Sequence, residues 1–315
     1  MPIAPKLDPN EIHRVIASPE PGRRLFLRGL PAGAPRVGVV LYVHGGTFPS
    51  ATSIAHRIEG WSWRDALAAA GFDVWGLDFH GFGAFSDPWP EQAAPASAHP
   101  PLGGCGAASA QLEAAARAIL AETGAPRVAL IAHSWGSMVA GDLAGRCPEL
   151  IDRLALFAPI ARRDAAPAAP LPAWRLITPQ DQWRRFTADT PRDAAPVLPE
   201  VWFAAWAEAY LDGDPASRAG NPPAVCTPCG PFQDIADAWA GRLAYDPGRV
   251  RAPVAVIRGA WDSMCGDADA AWLLGALGGA ASRRDVVVPR GGHLLHLETG
   301  RGELFRATAA FLSER

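Results

Sequence analysis

The chain has 315 residues, a formal net charge of -3, and 49% hydrophobic against 19% charged residues, an ordinary globular balance with ample apolar material for a core. No basic stripe runs along it, which argues against nucleic acid as a partner, and no run of about 18 apolar residues argues for a membrane span. Five cysteines are too few for a disulfide scaffold of this size, and the N-terminal stretch around Lys6 lacks the apolar segment of a secretory signal, so a cytoplasmic location is the default expectation.

Two patterns alternate along the chain. Residues 37–43 (VGVVLYV), 74–77 (VWGL), 127–132 (RVALIA), 154–157 (LALF), 254–257 (VAVI) and 286–288 (VVV) are short apolar runs bounded by turns. Strands buried on both faces of a parallel sheet read this way. Between them, residues 63–70, 108–122 and 137–145 are rich in Ala and Leu, which favour helix, and Gly71 and Gly124 stand where helix-stopping glycines stand. This alternation predicts an α/β fold with a mostly parallel sheet covered by helices.

Residues 161–244 break the rhythm. The stretch is rich in proline and aromatics and carries no clear strand signal. Residues 198–210 (LPEVWFAAWAEAY) read as a helix, with Trp202, Trp206 and Tyr210 four apart on one face. The whole stretch reads as a helical cap or lid, inserted into a core formed by residues 1–160 and 245–315, because long insertions in compact domains are often functional. The alternative is an irregular insertion whose aromatics fill a small core of their own.

The strongest chemical signal is residues 127–137, RVALIAHSWGS: a strand, then Ala132-His133-Ser134-Trp135-Gly136, then a helix. A serine on a sharp strand-to-helix turn needs small residues two before and two after it, because the two backbones approach closely there. The helix that follows aims its N-terminal N–H groups and dipole at the site, favouring negative charge. This turn resembles the nucleophile elbow of the α/β-hydrolases, with Ala132 where glycine is usual. A serine that merely caps the helix is the other reading.

In that family the acid and the histidine follow the serine in the chain. Asp262 follows the strand at 254–257, and His293 follows the strand at 285–288 after Gly291 and Gly292. Gly292-His293 through Glu298 matches the family's G-H-x-x-x-x-E pattern. The resemblance implies Ser134 as nucleophile, His293 as base and Asp262 as the acid that orients it. His296 competes for the base. Asp267 and Asp269, which read as a solvated helix start, and Asp164 compete for the acid. Residues 41–47 (LYVHGGT) resemble the family's His-Gly turn. They imply the Gly46 N–H, with Thr47 as fallback, as one oxyanion donor and the Trp135 N–H as the second; His44 would support the loop. Residues 78–83 (DFHGFG) with Ser86 resemble the family's Asp-x-x-Gly-x-Gly-x-Ser turn, the serine coming one residue late.

The resemblance spans about residues 23–160 and 245–315. It implies an eight-stranded-type α/β-hydrolase sheet flanked by helices. It implies hydrolysis of a carboxylic ester, thioester or lactone through an acyl-serine, and the aromatic lid suggests a small to medium apolar acyl substrate. A carbon–carbon bond hydrolase, an amidase or iminopeptidase, an acyltransferase and a non-catalytic ligand receptor stay open. No cofactor or metal is implied. Cys226 and Cys229 form a lone C-x-x-C pair, open to a metal, a disulfide or free thiols. Trp61, Trp63 and Trp89 line the pocket or simply pack. The oligomeric state is not legible.

Overall fold

The computed structural model describes residues 7–33 and 35–314. Lys6 and the rest of the first six residues, where the N-terminal reading begins, lie outside them. Ten strands and eight α-helices follow in chain order among the described residues. They are β1 (Ile12–Ala17), β2 (Arg24–Leu30), β3 (Gly38–Val43), α1 (Trp63–Ala69), β4 (Phe72–Asp78), α2 (Cys105–Thr123), β5 (Val128–His133), α3 (Gly136–Arg146) and β6 (Ile151–Phe157). Then come β7 (Trp174–Ile177), α4 (Pro179–Thr187), α5 (Glu200–Asp212), β8 (Val225–Pro228), α6 (Gly230–Trp239), β9 (Val254–Gly259), α7 (Asp267–Ala276), β10 (Arg283–Val288) and α8 (Arg301–Leu312).

Eight strands form the main sheet in the order β1-β2-β4-β3-β5-β6-β9-β10. Pairing is parallel from β4 through β10, and β1 and β2 join antiparallel at one edge. The parallel strands therefore release their carboxyl ends along one rim, where open α/β sheets bind ligands. Leu112, Met138, Val139 and Leu143 fill one face of the sheet, under α2 and α3. Trp63, Leu67, Leu304 and Phe311 fill the other, under α1 and α8.

Local chemistry fixes the helix ends. Ser62 accepts the N–H of Asp65, and Asp65 returns the bond to the Ser62 N–H, which starts α1. Gly124, at φ 67°, closes α2.

The structure departs from the sequence reading in places. The region 161–244, read as free of strands, contains the antiparallel pair β7 and β8; four residues each give too short a pattern to stand out from a proline-rich background. The run 286–288 suggested a strand buried on both faces. Instead β10 is the edge strand, with Val288 buried and Val287 44% exposed. Neither β1 nor β2 announced itself, because β1 is half exposed and has no continuous apolar run. Asp269 is not solvated: it is buried and held by Arg163 through two bonds of 2.7 and 2.8 Å. Trp63 packs in the core against Phe305 while Trp61 is largely exposed.

The aromatics of 161–244 do not form a core of their own. Phe186, Trp206 and Tyr210 share one cluster with Phe48, Leu294 and Leu297 from the loops at the sheet's carboxyl rim. Trp206 donates its indole N–H to the Thr52 carbonyl at 2.7 Å. Among the described residues no helix is long and apolar enough to cross a membrane.

Candidate active site

Strand β5 runs directly into Ser134, whose φ is +55°, a left-handed conformation that costs about 1–3 kcal/mol for a non-glycine residue. Two features hold the turn. The Ser134 N–H is taken by the Phe157 carbonyl at 2.9 Å, and the α3 backbone presses onto the loop after β3. A Cβ at Gly136 would meet the His44 carbonyl oxygen at 2.5 Å, so the position two after the serine admits glycine alone. Ala132, two before it, is completely buried.

Three loops then converge. Asp262 lies three residues beyond β9 and His293 five beyond β10. The two loops are laced together: the Trp261 N–H donates to Gly291 O at 2.9 Å, and a Cβ at Gly259 would stand 2.0 Å from that same oxygen. The imidazole of His293 contacts both partners. Its Nε2 is 2.8 Å from Ser134 Oγ, and its Nδ1 is 3.0 Å from each oxygen of Asp262. All three residues are at most 3% exposed. With Nδ1–H donated to the carboxylate, Nε2 is free to accept the serine proton. Burial alone would raise the Asp262 pKa. The adjacent imidazole and the N–H groups of Met264 and Cys265, at 2.9 and 3.1 Å, outweigh it and hold the carboxyl below its usual range.

His296 does not reach the serine. It is buried against the rings of His133 and Phe157, and burial pushes its pKa down to about 3. The rival acids are elsewhere: Asp164 is exposed and pairs with Arg162, Asp267 pairs with Arg258, and Asp269 is tied to Arg163. His44 braces its loop, with Nδ1 2.7 Å from Gly45 O and Nε2 accepting the Phe79 N–H at 3.2 Å.

Gly46 lies beside Trp135, since a Cβ built on it would be 3.9 Å from the Trp135 Cβ. Among the described residues no protein acceptor takes the N–H of Gly46 or of Trp135. Thr47 is engaged otherwise: its hydroxyl accepts from Arg185 at 2.6 Å. In the 78–83 turn the late serine is accommodated, Ser86 donating to the Asp78 carbonyl and accepting the Phe26 N–H.

The region 161–244 sends a side chain to each of these loops, which no motif foretold. Arg185 reaches Thr47. Asp189 accepts from Ser263 Oγ and from the His293 N–H. Asp234 accepts the Trp135 indole N–H at 2.8 Å and the Cys105 N–H at 2.7 Å. Cys226 and Cys229 are free thiols on β8 and just before α6. No group of three or more His, Cys, Asp or Glu is placed to hold a metal among the described residues.

A family model described as alpha/beta hydrolase fold matches residues 38–299. No curated protein sequence matches the chain. Solved structures do. A serine hydrolase involved in carbazole degradation is 18% identical, with a TM-score of 0.65 over 97% of this chain and 100% of its own. An esterase from Exiguobacterium antarcticum is 14% identical, with a TM-score of 0.62 over 96% and 100%. An epoxide hydrolase from Vigna radiata is 16% identical, with a TM-score of 0.63 over 96% and 98%. At such identities the likeness is one of fold, and the three differ in chemistry.

Proposed function

The chain belongs to the alpha/beta hydrolase fold family, and from that and the contacts of His293 we propose that it is a serine hydrolase cleaving a carboxylic ester, thioester or lactone. The single observation that carries the reading is the unbroken line from Ser134 Oγ through the His293 ring to Asp262, with gaps of 2.8 and 3.0 Å.

His293 takes the Ser134 proton as Oγ attacks the carbonyl carbon, and Asp262 stabilises the imidazolium that forms. The tetrahedral oxyanion accepts from the N–H groups of Gly46 and Trp135, near the N-terminus of α3. Such fixed donors are typically worth about a hundredfold or more in rate each. Collapse expels the alcohol or thiol, protonated by His293, and leaves acyl-Ser134. Water activated by the same imidazole then releases the acid.

Residues 161–244 act as a cap over this centre. The reading is supported by their hydrogen bonds to the loops of the site, beside a Ser134 that is almost fully buried. Phe48, Phe186, Trp206 and Leu294 make the contact between this region and the rim loops apolar.

The test is covalent labelling with a fluorophosphonate, together with turnover of p-nitrophenyl butyrate and a panel of thioesters and lactones. The protein is expected to label and turn over, and Ser134→Ala to do neither. Label retained in Ser134→Ala, or no turnover across the panel, would overturn the reading.

A further inference from the structure

We propose that Arg185 forms a subsite for a carboxylate carried by the substrate, so that the preferred ester has an apolar body with an acidic end. The inference rests on the serine-hydrolase reading for the scissile bond and on separate observations for the anion.

Arg185 lies on α4, between the inward residues Gln182 and Phe186 and one turn before Asp189. Its guanidinium makes one hydrogen bond, from Nη1 to Thr47 Oγ1 at 2.6 Å. Among the described residues no carboxylate oxygen lies within 4.0 Å of it. The Nε and Nη2 edge therefore has no protein acceptor among them. That edge is the planar fork that matches a carboxylate with two parallel bonds.

Its surroundings locate it at the site. The titratable groups near enough to act on it are Tyr210, Asp189 and Asp262. Asp262 is occupied by His293, and Asp189 is spent on Ser263 and the His293 backbone. Its charge is also felt by His133 and His296. His133 bonds to the His293 carbonyl at 3.1 Å, and its ring packs 4.8 Å from that of His296. Asp189, Asp262, His133 and His296 thus belong to the shell around His293, while Tyr210 belongs to the cluster of Phe48 and Trp206.

Arg185 is deep enough that burial lowers its pKa to about 10, so it stays charged at neutral pH. Yet the residue keeps part of its surface open. A buried cation lacking a counter-ion is costly to hold, and the fold bears that cost where a ligand anion would remove it. Phe186, next to it on α4, joins Phe48, Trp206 and Leu294 in one apolar cluster. The bound molecule is thus an acyl compound with one charged terminus.

The experiment compares kcat/KM for monoethyl succinate, glutarate and adipate with that for neutral ethyl esters of matching length, followed by proton release. The half-ester of the best length is expected to exceed its neutral counterpart by about tenfold or more. Arg185→Gln should reduce that ratio to about one, a relative loss of about tenfold or more, and Arg185→Lys should restore part of it. A general loosening of the fold lowers both rates and leaves the ratio, so the ratio decides. A wild-type ratio below one at every length, or one unchanged in Arg185→Gln, overturns the inference while leaving Ser134 chemistry intact. If no ester is turned over, the serine-hydrolase reading fails on its own. Calorimetric binding of glutarate then decides: at least about tenfold tighter binding to wild type than to Arg185→Gln supports the subsite, and equal binding refutes it.

Discussion

Asp189 accepts the backbone N–H of His293 through Oδ2 at 3.0 Å and the hydroxyl of Ser263 through Oδ1 at 2.6 Å. One carboxylate from the 161–244 region thus fastens the loop that carries the imidazole to the loop that carries its acid. Asp189→Ala is expected to lower kcat by about tenfold with a smaller change in KM, since charge-assisted bonds of this kind are worth about 2 kcal/mol. Asp189→Asn should recover part of the loss. A KM change without a kcat change would assign Asp189 to substrate binding rather than to positioning.

The Asp262 carboxyl, depressed by its imidazole and N–H partners, remains ionised down through the ordinary carboxylate range. In Asp262→Asn the anion that stabilises the imidazolium is gone, and turnover should fall by several orders of magnitude, about 10⁴ in the serine-protease precedent. Steady-state rates of both proteins at neutral pH check this, and a loss of less than about tenfold would count against the assignment.

Glu298 accepts the Gly292 N–H at 3.0 Å, and burial raises its pKa from 4.5 to about 7. The folded state therefore prefers the protonated acid. Its contribution to stability is full below about pH 4.5 and is lost as pH rises through about 7. Glu298→Gln keeps an acceptor for Gly292 and removes the titration. At pH 8 this variant should be more stable than wild type by up to roughly 3 kcal/mol, with the advantage vanishing near pH 4. Urea melts at the two pH values measure it.

Much of this centre was legible because its demands are local. The requirement for a small residue two positions from Ser134 follows from chain path alone, and the Gly136 contact with the His44 carbonyl is its structural form. Asp262 and His293 could be found because each comes shortly after a strand. Arg185, Asp189 and Asp234 could not. They come from a region without sheet periodicity, and they matter only through where that region docks. The edge position of β10 was equally hidden, since three valines in a row read the same in a central strand.

Gly136→Ala tests the steric argument directly. The added methyl would stand 2.5 and 2.8 Å from the backbone carbonyls of His44 and Val43, atoms that cannot rotate aside. A loss of at least about 3 kcal/mol is expected in urea unfolding. Gly106→Ala, near the start of α2 with nothing within 4 Å, is the control and should be neutral or slightly stabilising. Equal effects at the two sites would refute the close-approach account.

Ser134 is only 1% exposed, so few molecules at a time can meet an acyl group carried on it. Whichever nucleophile stands beside that group when the first product leaves would receive it. Adding a short-chain alcohol should then divert part of the product from free acid to new ester, and the ratio of ester to acid would measure how the site divides its access between alcohol and water.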